Sequence, residues 1–243
     1  MPDPTVLFQA AGVVAVLKPA GLATQAPPGV DSVEAWLRAH VVAPGGYVGV
    51  PHRLDRAVSG VLLMAVTPRA ARQLSRQFER RQIGKHYVAL VREAAAVDEG
   101  GVAEWRDVVE KVPDEARARI SARGATGGRE AVTLVRFGAR IEGVATESLR
   151  LVALEPLTGR MHQLRVQAAA RGMPIAGDSL YGDASKAAWC GMSSGAHSRL
   201  SPIALHAWRI SYRDPDTGLA TTAEAPLPAY WPAAARRWLP PSG

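Results

Sequence analysis

The chain has 243 residues, 47% of them hydrophobic and 21% charged, which is typical of a globular soluble protein. Its 29 lysines and arginines against 22 acidic residues give a net charge of +7, which favours a polyanionic partner but is equally compatible with a merely basic soluble protein. The single cysteine, Cys190, excludes an internal disulfide and a thiolate metal cluster. No secretory signal and no apolar run of ~18 residues occurs, so we expect a cytoplasmic protein without membrane spans.

The N-terminal region predicts one strand and one helix. Val13 to Leu17 is a short apolar run that stops at Lys-Pro-Ala-Gly, the pattern of a strand that enters a turn. Asp31 and Glu34 have the spacing of a capping box and predict the start of a helix. The residues that this helix is expected to bury are Val33, Trp36 and Leu37.

A second helix follows the strand predicted over Ser59 to Val66. Thr67 is its expected cap, and it runs from Pro68 to about Gln82. Its expected buried stripe is Ala71, Leu74 and Phe78, and a different face carries Arg69, Arg72, Arg76 and Arg80. A charge run is usually a solvated surface, but charges of one sign repel each other, so we favour a phosphate-binding role.

The C-terminal half predicts mostly strands, with one helix that starts at Thr158-Gly159 and ends at Ala170. Residues 93–130 are poor in apolar residues and are expected to form a long, partly irregular excursion that contacts substrate. A loop-rich segment is expected over Gly177 to Pro202. The predicted strands are Lys85 to Val91, Ala131 to Phe137, Ser148 to Leu154 and Ala204 to Tyr212.

The segment His52 to Gly60, H-R-L-D-R-A-V-S-G, places Asp55 at the mouth of a predicted buried strand. Burying a carboxylate beside apolar surface is costly unless the charge is paired. Such a residue serves either chemistry or a structural ion pair, here with Arg53 or Arg56. Taken alone, the segment favours the ion pair.

The segment also resembles the catalytic motif of the RluA-type family of RNA pseudouridine synthases. Four further segments are similar to motifs of that family and occur in the family's order, so the resemblance covers Val13 to Tyr212. They are V-L-K-P-A-G-L at Val16 to Leu22, K-H-Y-V-A-L-V at Lys85 to Val91, G-R-M-H-Q-L-R-V-Q at Gly159 to Gln167 with the following G-M-P-I-A-G-D-S-L-Y-G, and L-H-A-W-R-I at Leu205 to Ile210.

The resemblance implies an α+β fold with a mixed, mostly antiparallel sheet, flanking helices and a central cleft. We expect one catalytic domain over residues 1–243, with a family-like core over about 13–212 and no separate N-terminal RNA-binding module. The implied activity is the isomerisation of uridine to pseudouridine in structured ribosomal or transfer RNA. RNA is then the partner, and a monomer without metal or cofactor is expected.

By resemblance, three residues carry the chemistry. Asp55 is the essential carboxylate, Arg165 is the cation that keeps it ionised, and Tyr87 is the aromatic surface that holds the detached base. Judged on the residues alone, Tyr87 in an apolar strand is a core tyrosine. Arg165 lies one helical turn after His162, so both could occupy a polar face.

Substrate binding is predicted for a wider set of residues. Arg53 is expected by resemblance to help displace the target nucleotide from folded RNA, with an ordinary phosphate contact or a plain surface arginine as an equal alternative. His52 and His162 lack a ligand partner at metal-binding spacing and are not expected to hold a metal. The full set of predicted substrate-binding residues is Arg53, His52, His162, Gln163, Arg160, Arg69, Arg72 and Arg76.

The chain departs from the family pattern at three positions: Val58 and Met161 replace threonine, and Gln167 replaces histidine. These changes put nearby hydrogen bonds and substrate preference in doubt. Two other functions stay open: a catalytically silent RNA-binding or RNA-chaperone protein on the same fold, and a hydrolase. The hydrolase would use Cys190 with His197 or His206.

Overall fold

A computed structural model describes residues 3–92, 98–141, 148–183, 189 and 201–237. The chain folds as two compact units. The first unit comprises Met1–Lys85 and His206–Pro226, and the second comprises His86–Leu205 and Leu227–Gly243.

The described residues form ten strands and four helices. In chain order they are β1 (Thr5–Ala10), β2 (Val13–Lys18), α1 (Val33–His40), β3 (Ser59–Ala65), α2 (Pro68–Glu79), β4 (Gly84–Arg92), β5 (Val102–Lys111), β6 (Ala118–Ser121), β7 (Arg129–Ile141), β8 (Leu149–Pro156), α3 (Gln163–Ala170), β9 (Leu205–Arg213), β10 (Ala220–Glu224) and α4 (Ala233–Arg237).

The first unit pairs its strands in the order β1-β2-β3-β9, with β10 on β9. All pairs are antiparallel except β3 with β9, which are parallel at Ser59↔His206 and Gly60↔Ala207. Every residue of β3 is buried, as expected for a strand covered on both faces. The strand predictions for β2, β3 and β9 are confirmed, whereas the two outer strands β1 and β10 were not predicted.

The N-terminal cap of helix α1 lies one residue later than predicted. The N-cap is Ser32, not Asp31: Ser32 has extended backbone and its hydroxyl accepts a hydrogen bond from the Ala35 N–H at 3.1 Å. The capping box was therefore wrong, because a serine one position on supplies the oxygen that the first turn needs. Val33 and Leu37 are buried as predicted, but Trp36 is only half-buried.

Helix α2 has the predicted cap, with the Thr67 hydroxyl accepting from the Ala70 N–H at 3.1 Å. The helix ends at Glu79, before the predicted Gln82. Its buried residues are Ala70, Leu74 and Gln77, so the inner face is rotated by about one residue from the predicted stripe. Gln77 is buried because its amide exchanges two hydrogen bonds of 2.8 Å with the Arg213 backbone.

The second unit pairs its strands in the order β4-β8-β7-β5-β6, all antiparallel. The strand predictions for β4, β7 and β8 are confirmed. The described part of residues 93–130, expected to be a long, partly irregular excursion, contains β5 and β6, which were not predicted. Trp105 and Val109 are buried while Glu104 and Arg106 are exposed, so β5 is a half-exposed strand with polar residues on its outer face.

Within the described ranges no helix is long and apolar enough to cross a membrane. The predicted helix over Thr158 to Ala170 starts five residues late, at Gln163. Part of the loop predicted over Gly177 to Pro202, including Cys190 and His197, lies outside the described residues.

The backbones of β3 and β9 approach each other closely at Gly60, so a substitution there tests this packing. Its φ is +129°, and a Cβ there would lie 2.3 Å from the Ala207 carbonyl oxygen. We expect Gly60→Ala to cost more than about 3 kcal/mol, because the obstacle is backbone and cannot rotate away. Gly218→Ala is the matched control: its φ is +71° with nothing within 4 Å, so only the conformational cost of about 1–2 kcal/mol applies. Equal losses in urea unfolding of the two variants would contradict the close approach.

Candidate active site

The loop that carries Asp55 is bound to the segment after β2 by backbone and side-chain hydrogen bonds. The Thr24 hydroxyl donates to the Leu54 carbonyl and accepts from the Leu54 N–H, both at 3.1 Å. The Gly21 N–H donates to the Arg56 carbonyl, and Arg56 Nε donates to the Gly21 carbonyl, both at 2.7 Å. The residues on either side of Asp55 are therefore held in place, with the half-buried Asp55 between them.

Lys18, at the end of β2, is a fully buried residue that the sequence analysis did not single out. Its ammonium donates to the carbonyls of Leu22 at 2.6 Å, Pro19 at 2.9 Å and Arg56 at 3.2 Å. Burial lowers the pKa of Lys18 to about 7, with the negative charge of Asp55 acting against that shift. The lysine thus joins the V-L-K-P-A-G-L motif to the Asp55 loop and places a titratable cation in the electrostatic field of Asp55.

His52 ties the same loop to β3 and α2. Its Nε2 accepts the Leu63 N–H at 2.9 Å, and its ring stacks on Phe78 with centroids 4.5 Å apart. Burial, with the nearby charge of Lys85, lowers the pKa of His52 to about 3, so the ring stays neutral near pH 7. This arrangement gives His52 a structural role, and its predicted part in RNA binding stays a prediction. The neighbouring Arg53 is exposed, as the predicted displacement of a nucleotide requires.

His206 is fully buried, and both of its ring nitrogens have partners. Nε2 lies 3.1 Å from the Ala225 carbonyl and Nδ1 lies 2.8 Å from the Ser59 hydroxyl. A carbonyl can only accept, so Nε2 carries the proton and Nδ1 accepts from Ser59. A histidine fixed in this way is a structural residue of the sheet and unsuited to serve as the base of a hydrolase.

In the second unit, Tyr87 is half-buried on β4, opposite Leu154 of β8. Arg165 lies on α3, where every residue from Gln163 to Ala168 is buried. Arg165 therefore does not lie on an exposed polar face of the helix. Nε and Nη2 of Arg165 grip the Asp178 carboxylate at 2.7 and 2.9 Å, the two-point geometry that favours arginine over lysine.

Asp178 was not predicted as a site residue, although the G-D-S-L-Y-G segment that contains it resembles the family. Only 1% of the Asp178 side chain is exposed, against 8% for Arg165. Asp178 Oδ1 also accepts the N–H groups of Leu180 and Tyr181, at 3.1 and 3.3 Å. An acidic residue inside an otherwise small and apolar segment is the signal that could have identified it, because such a carboxylate needs a buried partner.

Tyr181 completes this cluster around Arg165. Its ring covers the guanidinium, with the Arg165 Cζ 5.2 Å from the ring centroid. The Tyr181 hydroxyl accepts the Ala118 N–H and contacts His162 Nδ1, both at 2.8 Å. Asp178 and Tyr181, both after α3, therefore hold Arg165 directly. Tyr181 is held in turn by His162, just before α3, and by Ala118 of β6.

Gln163, a predicted substrate-binding residue, is buried in a hydrogen-bond network. Its Oε1 accepts from the Thr158 hydroxyl at 2.7 Å and from the Arg160 N–H at 3.0 Å, and its Nε2 donates to Thr133 Oγ1 at 2.9 Å. These bonds shape the turn before α3 and leave RNA contact by Gln163 as a prediction. Arg160 reaches the Glu130 carbonyl at 2.9 Å.

The three departures from the family pattern have structural partners. Val58 is buried. Met161 packs against the apolar cluster of Val109, Ala118, Ala131 and Val166. Gln167 accepts from the Thr133 hydroxyl and donates to Asp107 Oδ2, both at 2.7 Å. The amide of Gln167 therefore makes its own connection between α3, β5 and β7.

Comparison with known proteins matches these motifs to one family. The family model described as RNA pseudouridylate synthase matches residues 12–170. The chain is 36% identical over 231 residues to tRNA pseudouridine synthase C of Yersinia pestis, covering 93% of this chain and 87% of that protein. It is 32% identical over 221 residues to the dual-specificity RNA pseudouridine synthase RluA of the same organism, covering 88% and 94%.

The structural comparison agrees. The human RNA pseudouridylate synthase domain containing 1 superposes with a TM-score of 0.70 at 25% identity, covering 92% of this chain and 83% of that one. The fold and the motif-bearing loops define a uridine-modifying isomerase of RNA. The chain belongs to the RNA pseudouridylate synthase family, in its RluA-type branch.

The Arg165–Asp178 pair predicts a large effect on stability. Asp178→Asn removes the negative charge that the buried guanidinium contacts at two points, so we expect a loss of about 3–5 kcal/mol. Glu130→Gln is the surface control, since Glu130 pairs with Arg106 where both side chains are about half exposed, and it should cost less than about 1 kcal/mol. Urea unfolding measures both. A loss for Asp178→Asn no larger than that of the control would contradict the buried pair.

His206 predicts a dependence of stability on acid. Burial lowers the pKa of His206 to about 4, below the value of about 6.5 in an unfolded chain. The neutral ring therefore stabilises the fold fully above about pH 6.5, and this contribution is lost as the pH falls towards 4. His206→Asn should unfold with a flatter pH dependence than wild type between pH 6.5 and 4.5. Parallel pH profiles of the free energy of unfolding would show that the ring does not titrate in this way.

Proposed function

We propose that this protein isomerises uridine to pseudouridine in transfer or ribosomal RNA, with Asp55 as the catalytic carboxylate. The observation that carries the proposal is the loop at Asp55, whose neighbours Leu54 and Arg56 are fixed by Lys18 and Gly21 of the V-L-K-P-A-G-L motif and by Thr24 just after it. The relatives named for transfer RNA support that substrate class, and a relative named as a ribosomal large subunit pseudouridine synthase keeps ribosomal RNA open.

The reaction conserves all atoms of the nucleotide. The bond between C1′ of the ribose and N1 of uracil breaks, the base turns, and C1′ bonds to C5. The proton on C5 is released and N1 gains one, so no oxidant or reductant is consumed. The required groups are an ionised carboxylate near the sugar and a surface that retains the free base.

We assign Asp55 the first requirement and Tyr87 the second, through its ring and hydroxyl. Arg165 is proposed to support the carboxylate, and Arg53 to displace the nucleotide from the RNA stack. We further propose that residues 1–243 act as one catalytic domain, as a cytoplasmic monomer without metal. The alternative is a catalytically silent RNA-chaperone protein on the same fold, and turnover by the wild type would exclude it.

The role of Asp55 predicts a loss of turnover without a loss of fold. Asp55→Asn keeps the shape of the side chain and removes its charge, so tritium release from RNA labelled at C5 of uridine should fall at least roughly 100-fold. Thermal unfolding and RNA affinity should change little.

Asp31→Asn is the matched control. It is the same substitution in the same unit, at an exposed residue outside the loop, and its turnover should equal that of wild type. Substantial residual turnover in Asp55→Asn would overturn the assignment, and the absence of turnover in wild type on every RNA tried would favour the chaperone.

A further inference from the structure

Helix α2 and the residue pair after it carry an exposed basic surface, which we define as Arg72, Arg76, Arg80 and Arg81. Within the described ranges, none of the four makes an ion pair with an acidic residue. Elsewhere in those ranges exposed or partly exposed arginines do have such partners. They include Arg38 with Glu34, Arg106 with Glu104 and Glu130, Arg119 with Glu110, and Arg209 with Glu224.

Arg69, on the first turn of α2, differs from the basic surface. Its Nε lies 3.4 Å from Asp216 Oδ1, in the turn between β9 and β10. Arg69 was predicted to bind phosphate with Arg72 and Arg76, and this ion pair separates it from them. Like charges three or four residues apart destabilise a helix. The like charges of the basic surface therefore call for a reason other than stability.

Arg81 supplies a second, independent observation. Its φ is +56°, and the bonds Arg81 N–H to Phe78 O at 3.1 Å and Gln82 N–H to Gln77 O at 2.9 Å close the helix in a Schellman motif. Glycine is the favoured residue at this left-handed position because a Cβ is disfavoured there. The chain places an arginine at the position where glycine would be more stable.

The basic surface is also joined to the loop that carries Asp55, inside the same unit. Phe78 of α2 stacks on His52, three residues before Asp55. The segment before His52 approaches α2 so closely that a Cβ at Gly49 would lie 2.9 Å from the Ala71 Cβ. Gln77 fixes the helix to β9 by its two bonds to Arg213. The arginines are therefore presented on a rigid support.

We propose that the basic surface binds backbone phosphates of the substrate RNA beside the nucleotide that Asp55 acts on. Arg72 to Arg81 span about 13 Å along the chain direction at the helical rise of about 1.5 Å per residue, which is enough for more than one phosphate. The contacts are to phosphate, so they position RNA without reading its sequence. This inference rests on the proposed function for the identity of the RNA, but phosphate binding by α2 is measurable without turnover.

The first test measures how RNA affinity depends on salt. Unfractionated tRNA is the probe, and its Kd is measured between 50 and 200 mM salt for wild type and for the double variant Arg72→Gln/Arg76→Gln. Each lost phosphate contact should reduce the slope of log K against log salt by roughly 0.7–0.9 and weaken binding roughly five- to eightfold at 0.1 M salt. Arg38→Gln removes the same charge from an arginine already paired with Glu34 and should leave the slope unchanged.

The second test separates phosphate binding from a role in the fold. Arg81→Gly should raise the Tm by a few degrees, since glycine relieves the left-handed strain, while tRNA binding weakens roughly five- to eightfold at 0.1 M salt. An arginine that serves only the helix C-terminus would give a lower Tm and an unchanged Kd. An unchanged slope in the double variant, or an unchanged Kd in Arg81→Gly, overturns the proposal.

Turnover of wild type on C5-tritiated RNA distinguishes this failure from a failure of the proposed function. Active wild type with unaltered binding in the arginine variants would refute only the basic surface. Inactive wild type whose tRNA binding still depends on these arginines would refute the enzyme and retain the surface.

Discussion

The buried ammonium of Lys18 is the interaction on which the geometry of the Asp55 loop depends. An ammonium has three protons, and three backbone carbonyls accept them, one of which belongs to Arg56 in the Asp55 loop. An apolar side chain of the same size would avoid the cost of burying a charge but would leave those carbonyls without this donor. The Lys18 ammonium is buried because it joins the segment after β2 to the Asp55 loop. This burial lowers the pKa of Lys18 to about 7.

The second unit also buries a cation, but pairs it with a carboxylate instead of backbone carbonyls. Arg165 is buried, and its charge is balanced at once by Asp178, so the pair contributes little net charge to its surroundings. The guanidinium is held at two points and covered by the Tyr181 ring, so its orientation is fixed. Its other N–H groups can therefore donate hydrogen bonds only in fixed directions. The predicted support of a carboxylate by Arg165 is then a matter of hydrogen-bond geometry more than of uncompensated charge.

The sequence could predict the elements whose signals are local. The apolar runs of β2, β3 and β9, and the Thr67-Pro68 start of α2, need no knowledge of partners. By contrast, the strand β5 is hidden in a charged segment because its outer face pairs Arg106 with Glu130 of β7, a residue distant in sequence. Likewise, Asp178 pairs with Arg165, 13 residues earlier, and Lys18 donates to the Arg56 carbonyl, 38 residues later. Motif resemblance located their segments without revealing these partners.

Local rules are broken at a few described positions, and these positions are informative. Among the described residues, four non-glycine residues have positive φ. Ala11 and Asp114 lie in the connections between β1 and β2 and between β5 and β6, where such backbone is ordinary. Arg81 and His162 instead lie at helix ends, one on the basic surface and one beside Tyr181 in the cluster around Arg165. Strained backbone persists only where the surrounding contacts enforce it, as the Schellman bonds do at Arg81 and the Tyr181 hydroxyl does at His162. Glycine is favoured over arginine at such backbone, so the side chain is the remaining reason for Arg81. Histidine is more common there, and its contact with the Tyr181 hydroxyl accounts for the imidazole at position 162.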